Sequence, residues 1–175
     1  MPKGISLPRV LAAILALLAA AGAAAAQDVR PIGSFERWNA FTFQEAGKPV
    51  CYAASQPTEA KGNYSKRGEV FALVTHRPAA KANDVISLVA GYDYKPGSEV
   101  EVAIGRDSFK LFTEGDRAWA KDAQTDKALV QAMARGGAMV VKGVSNRGTE
   151  TADSYSLAGF AKAYQAIGQA CGLKS

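Results

Sequence analysis

The stretch Glu99-Val100-Glu101-Val102-Ala103-Ile104-Gly105-Arg106-Asp107-Ser108-Phe109-Lys110-Leu111-Phe112 decides the fold class. Its first half has a period of two. Val100, Val102 and Ile104 point one way, and Glu99, Glu101 and Ala103 point the other. A helix would spread the three aliphatic side chains around its axis, whereas a strand puts them on one face. Gly105-Arg106 makes a tight turn, and Ser108 to Phe112 returns as the second arm of a hairpin. Gly115-Asp116 then turns into Arg117-Ala118-Trp119-Ala120.

Reading outward toward the N-terminus, the pattern stays β. Asp84 to Tyr92 is a strand whose apolar run Val85-Ile86-Ser87-Leu88-Val89 predicts burial on both faces. Glu69 to His76 is another strand, centred on Val70-Phe71-Ala72-Leu73-Val74, and Val50 to Ser55 is rich in β-formers. Phe35 to Phe43 reads as one irregular strand. Gly47-Lys48-Pro49 and Lys95-Pro96-Gly97-Ser98 read as turns, and Pro57–Gly68 and Pro78–Asn83 as loops.

Toward the C-terminus the period lengthens. Ala128, Leu129, Ala132 and Met133 recur at helical spacing between Thr125 and Arg135, with Asp122 or Thr125 as cap and Gly136-Gly137 as the stop. Ala138 to Val144 is a strand, Asn146-Arg147-Gly148 interrupts it, and Glu150 to Tyr155 continues as a polar strand. A last helix, with Ser156 as its N-cap, aligns Leu157, Phe160, Ala161, Tyr164, Ile167 and Cys171 on one face. The sum is a mainly β chain: an antiparallel β-sandwich or barrel-like single domain with two late helices.

The first 26 residues have a different build. Lys3 and Arg9 form a positive head, Val10 to Ala21 is apolar, and Ala24-Ala25-Ala26 offers a small-residue cleavage site before Gln27. This predicts a signal peptide over residues 1–26, a mature domain over 27–175, and no integral membrane span in that mature chain. The formal net charge falls from +5 to +3 when Lys3 and Arg9 leave. That mild excess favours anionic surfaces. With no run of basic residues, it argues against nucleic acid. Cys51 and Cys171 are the two cysteines, near opposite ends of the mature domain. Export then predicts one disulfide between them.

Several segments resemble the invasion-associated locus B family. They are Gly47-Lys48-Pro49-Val50-Cys51-Tyr52-Ala53-Ala54-Ser55, Val74-Thr75-His76-Arg77-Pro78, Gly91-Tyr92-Asp93-Tyr94-Lys95 and Ala118-Trp119-Ala120. The longest is Met139 to Phe160, centred on Ser145-Asn146-Arg147-Gly148-Thr149-Glu150-Thr151 and Asp153-Ser154-Tyr155-Ser156-Leu157; Cys171 closes the pattern. The resemblance implies an exported protein of a Gram-negative bacterium, periplasmic or outer-membrane-associated. Some relatives in intracellular pathogens are linked to host-cell entry. It carries no enzymatic site. The turn Gly105-Arg106-Asp107 departs from the Asp-Gly turn expected of relatives, which touches only local geometry.

The residues themselves offer little catalysis. His76 is the single histidine, and no Gly-x-Ser-x-Gly elbow accompanies it. No motif names a cofactor or a metal. Glu99 with Glu101, and Glu150 with Asp153, are the carboxylate pairs that a glycoside hydrolase would need, set in exposed or turn-like contexts. Arg67-Gly68 and Arg147-Gly148 stand out. An arginine before a glycine at a break in β-structure serves either as a clamp on carbonyls and carboxylates or as a ligand fork. Arg147 in particular is expected to be partly buried, bonded to backbone or to Glu150 or Asp153. Tyr92 and Tyr94 face one way and suit a contact platform. The sequence therefore predicts a non-enzymatic protein with a binding or support role at the cell envelope, its partner an envelope protein or an anionic envelope polymer. A surface-presented invasion factor is the first rival reading, and a hydrolase of envelope polymers the second.

Overall fold

The computed structural model describes residues 28–173, so the expected signal peptide lies outside the described residues. Eleven strands form one antiparallel sheet: β1 (Arg30–Phe35), β2 (Trp38–Glu45), β3 (Lys48–Ser55), β4 (Glu59–Gly62), β5 (Phe71–Arg77), β6 (Ala82–Val89), β7 (Glu99–Ile104), β8 (Asp107–Glu114), β9 (Arg117–Trp119), β10 (Ala138–Val144) and β11 (Glu150–Ser156). Two helices, α1 (Ala123–Arg135) and α2 (Phe160–Ala170), complete it. The spatial order is β1-β2-β3-β5-β6-β9-β8-β7-β10-β11-β4.

That order fixes the curvature. β3 and β4 stand eight places apart in the sheet, about 38 Å if the sheet were flat. Yet the chain passes from Ser55 to Glu59 in a span of about 14 Å at full extension. The sheet must therefore curl until its two ends meet. Contacts across the gap agree: Trp38 Nε1 donates to Ser156 O at 3.0 Å, and Arg37 N donates to Ala158 O at 3.3 Å. The ladder does not close, since β1 and β4 remain the two edges. The architecture is thus one barrel-like open sheet and not two stacked ones.

Inside the curl lies a single core, with Trp38, Val100, Leu111, Leu129, Met139, Phe160 and Ile167 fully enclosed. The alternation in β7 holds: Val100, Val102 and Ile104 are buried, and Glu99 and Glu101 are exposed. The 82–89 strand meets the expectation of burial on both faces only at its centre. Ile86 and Leu88 enter the core and Ser87 is buried on the outer face, while Val85 and Val89 beside it are half-buried. α2 packs on β1, β2 and β3, and α1 packs on β6. Cys51 and Cys171 are bonded, joining β3 to the residue after α2 with a Cα–Cα distance of 5.9 Å.

Three local expectations need correction. The Phe35–Phe43 stretch is two strands, broken at Glu36-Arg37, with Glu36 at φ 54°. Within the Pro57–Gly68 loop lies β4, a short strand formed only by pairing with β11. The last helix starts at Phe160, capped by Gly159 at φ 86°. A side chain at Gly159 would collide with the carbonyl of Phe35, so the helix enters where only glycine fits.

Asp122 caps α1 by accepting the Thr125 N–H at 2.7 Å. One turn on, Asp126 is 7% exposed and accepts the Ile86 N–H at 2.9 Å, tying α1 to β6. Burial pushes the Asp126 carboxyl up to about 6, against the pull of the Ile86 N–H, with Asp84 and Asp122 adding to the rise. The native state therefore binds a proton that the unfolded chain releases near the ordinary value of 3.8. Its stability falls as pH rises through that window. Asp126→Asn keeps an acceptor for Ile86 and removes the buried charge. It is expected to be more stable than the parent by about 1–3 kcal/mol at pH 7.5, with the difference gone at pH 4. Urea unfolding at the two pH values measures this, and a variant weaker than the parent at pH 7.5 would refute it.

Candidate functional site

The most developed polar site lies where the long excursion through β4 returns toward β5. Gly68 N donates to Gly91 O at 2.8 Å, and Gly91 has φ 71°. A Cβ on Gly91 would meet Gly68 O at 2.5 Å, so this approach of two backbones needs glycine. The approach carries Arg67 inward. Its Nε donates to Ala90 O at 2.6 Å, Nη1 to Asp153 Oδ1 at 2.7 Å and Nη2 to Asp153 Oδ2 at 2.6 Å. Both side chains of the pair are 5% exposed.

The guanidinium also lies between two rings, 5.4 Å from the Tyr64 centroid and 5.0 Å from that of Tyr92. Burial works against its charge, but the hydrogen bonds and charge of Asp153 outweigh burial and raise its pKa above the ordinary value. Tyr92 shares a 2.6 Å hydrogen bond with Thr151 Oγ1 and packs edge-on against Tyr94. Burial raises the pKa of the Tyr92, Tyr94 and Tyr155 phenols, so all three stay neutral near pH 7. Gly143 lies beneath: a Cβ there would stand 2.7 Å from the Tyr94 ring.

Above this floor opens a cleft of about 540 Å³. One wall is the segment from Asn63 to Arg67, and the other is the turn from Ser145 to Thr149. The two Arg-Gly positions singled out in the sequence thus meet at one cleft with different roles. Arg67 is the buried clamp in its floor. Arg147 is exposed and, among the described residues, without an ion pair. The expected clamp at Arg147 is therefore corrected. The turn satisfies its own backbone: Gly148 N donates to Ser145 O, Ser145 N to Thr149 O, and Thr149 N to Ser145 Oγ. The turn is thus closed without Arg147, and Asp153 is already taken by Arg67. Lys66, also exposed, joins Arg147 on the rim, with Asp93 as the exposed acid.

The other candidates are dispersed. His76 is 1% exposed, and its Nδ1 accepts the Asp84 N–H at 3.1 Å. Burial lowers the pKa of its imidazole, with Asp84 opposing. Tyr164 O–H donates to Asp84 Oδ1 at 2.6 Å, so this group is a joint between β5, β6 and α2. Glu99 pairs with Lys110 at 3.1 Å on the exposed sheet face, and Glu101 sits opposite Lys110 and Lys142 in the ladder. Glu150 is exposed, while Asp153 has both oxygens on Arg67. Tyr92 and Tyr94 form no open platform, because Tyr94 is 6% exposed and Tyr92 lies under Arg67. Sequence reasoning missed Lys66 and Asn63 as cleft residues; the single signal was their closeness to Arg67.

A disulfide-joined, single-sheet β protein with a clamped ion pair beneath a polar cleft is the class these features define. The chain belongs to the Invasion associated locus B (IalB) protein family, whose sequence model matches residues 38–168. Among solved structures it is similar to invasion associated protein B from Bartonella henselae, at 14% sequence identity and a TM-score of 0.54. That match covers 77% of this chain and 92% of the other, and at this identity it speaks for the fold. No curated protein matches the sequence. Among the described residues, no helix is long and apolar enough to cross a membrane.

Proposed function

We propose that the protein is exported to the periplasm or the periplasmic side of the outer membrane. There it acts by binding, without catalysis, and its cleft holds an anionic envelope polymer. The observation that carries this reading is the division of charge at the cleft. The floor pair Arg67–Asp153 is closed on itself, while Lys66 and Arg147 stand on the rim with no acid bonded to them among the described residues. Phosphate or carboxylate groups of a polymer meet the rim cations. Asn63, Asn146 and Thr149 offer polar contacts to its hydroxyl groups, and Tyr64 offers a ring. Asp153 cannot serve as a general acid while both its oxygens accept from Arg67, which weighs against the hydrolase reading.

The test uses delipidated, anionic lipopolysaccharide oligosaccharide as the probe. Lys66→Glu with Arg147→Glu is expected to weaken binding at least tenfold in calorimetry at low salt, while leaving the unfolding midpoint unchanged. Equal binding by the double variant would remove the cleft from the account. Arg147→Lys alone is expected to unfold within about 0.5 kcal/mol of the parent, as a surface substitution does.

A further inference from the structure

The outer face of the sheet is divided. On β7, β10 and β4 it carries Glu99, Glu101, Lys142 and Lys61, the alternating charges of a wetted surface. On β2, β3, β5, β6 and β9 it is largely apolar, with arginines toward its ends. There the core-facing residues are Ala72, Val74, Ile86 and Leu88, so the alternate residues Leu73, Thr75, Val85 and Ser87 face out. These outward side chains are short and form the floor of a trough of about 550 Å³. Rings rise on both sides. Tyr52 stacks on Phe41 at 5.1 Å and packs edge-on against Phe43, and across the trough Trp119 lies 5.9 Å from Phe112.

An arginine stands at each end of the trough. Arg77 is level with Ala82 in the ladder, and Arg117 is level with Val89. Seven residues of β6, or six of β5 across the bulge between Thr75 and Arg77, separate these levels, about 20–23 Å along the strand. Each arginine has a loose surface acid, Glu45 at 3.4 Å and Asp116 at 3.7 Å, which a partner's carboxylate can replace, and Arg117 Nη1 also reaches inward to Ser87 Oγ at 3.4 Å.

We infer that this trough binds an extended polypeptide segment of about seven residues, apolar in its middle and acidic at both ends, supplied by another protein. Length and charge match directly: an extended chain rises about 3.3 Å per residue, so one acid at each end reaches one arginine. The floor argues for a polypeptide over an acyl chain. Thr75 puts a hydroxyl there, 8% exposed, which a hydrocarbon would leave unpaired and a peptide backbone can bond; the Ser87 hydroxyl already accepts from Arg117 Nη1 at 3.4 Å. The curl argues against a second copy of this chain. The face lies outside the curl, so two such faces touch along a narrow strip, short of the roughly 800 Å² per partner that a stable interface needs.

Trp119 supplies the readout, because Trp38, the other tryptophan, is 0% exposed and reports the core. A positional-scanning library of end-blocked heptapeptides is expected to shift Trp119 fluorescence most for members with acids at both ends and Leu, Val or Phe between. Arg77→Glu should switch the preference at one end from acidic to basic, and Arg117→Glu the preference at the other, each weakening the parental peptide at least tenfold. The two side chains are 38% and 45% exposed, so these variants keep the fold, and circular dichroism checks it. End preferences that survive the charge reversals would overturn the inference. So would a Trp119 response to anionic phospholipid vesicles and to no peptide, or a sedimentation dimer that Trp119→Asp dissolves.

Discussion

Arg67→Ala is expected to lower the unfolding free energy by about 3–5 kcal/mol in urea at pH 7, a large fraction of what holds a domain of this size together. The cost is not the loss of an attractive pair as such. It comes from Asp153, left as a carboxylate with 5% side-chain exposure and no counter-charge, and from Ala90 O, left without its donor. Arg67→Lys should cost about 1–3 kcal/mol, because an ammonium keeps the charge and loses the two-pronged bond together with the carbonyl contact. Arg67→Met with Asp153→Leu removes both charges and should recover most of the loss, as replaced buried pairs do. A loss below about 1 kcal/mol for Arg67→Ala would mean that water reaches the pair and that the cleft floor is not the closed unit described.

The second large effect is expected from the disulfide. Cys51 and Cys171 are separated by 120 residues, so the bond constrains nearly the whole folded chain. In the chain-entropy account a loop of that length contributes about 4–5 kcal/mol by restricting the unfolded ensemble, with measured effects usually lower. Cys51→Ala with Cys171→Ala should therefore lower stability by about 3–5 kcal/mol. The bond also fastens the end of α2 against His76 and β5, so the reduced protein should lose hydrogen-exchange protection first along α2. A double variant as stable as the oxidised parent would show that α2 is held by Phe160, Ala163 and Ile167 alone.

How much of this was legible in the sequence follows from how local each feature is. The β7–β8 hairpin is written in a period of two and a Gly105 turn, and it appears as read. α1 is written in spacing and a capping aspartate. The break at Glu36-Arg37 carries no glycine, asparagine or aspartate to announce it. β4 has four polar or small residues and becomes a strand only because β11 offers it an edge. Ser156 has the chemistry of a cap, but its backbone belongs to β11, and the helix start is dictated by the space beside Phe35. The two Arg-Gly pairs look alike in sequence. Their difference comes from Asp153, which lies 86 residues from Arg67 and is brought to it only by the curl of the sheet. The apolar trough was hidden for a similar reason. Val85 reads as buried in sequence, and only the strand order shows that it shares an outward face with Leu73 and Trp119.

We propose that the protein meets its polymer in the cleft between the two Arg-Gly segments. Hydrogen exchange read by mass spectrometry, with and without saturating anionic lipopolysaccharide oligosaccharide, tests it most directly. The account predicts new protection in the segments 63–67 and 145–149 and none along β5 and β6. Binding that leaves both segments unprotected, or no binding at all at low salt, would contradict it.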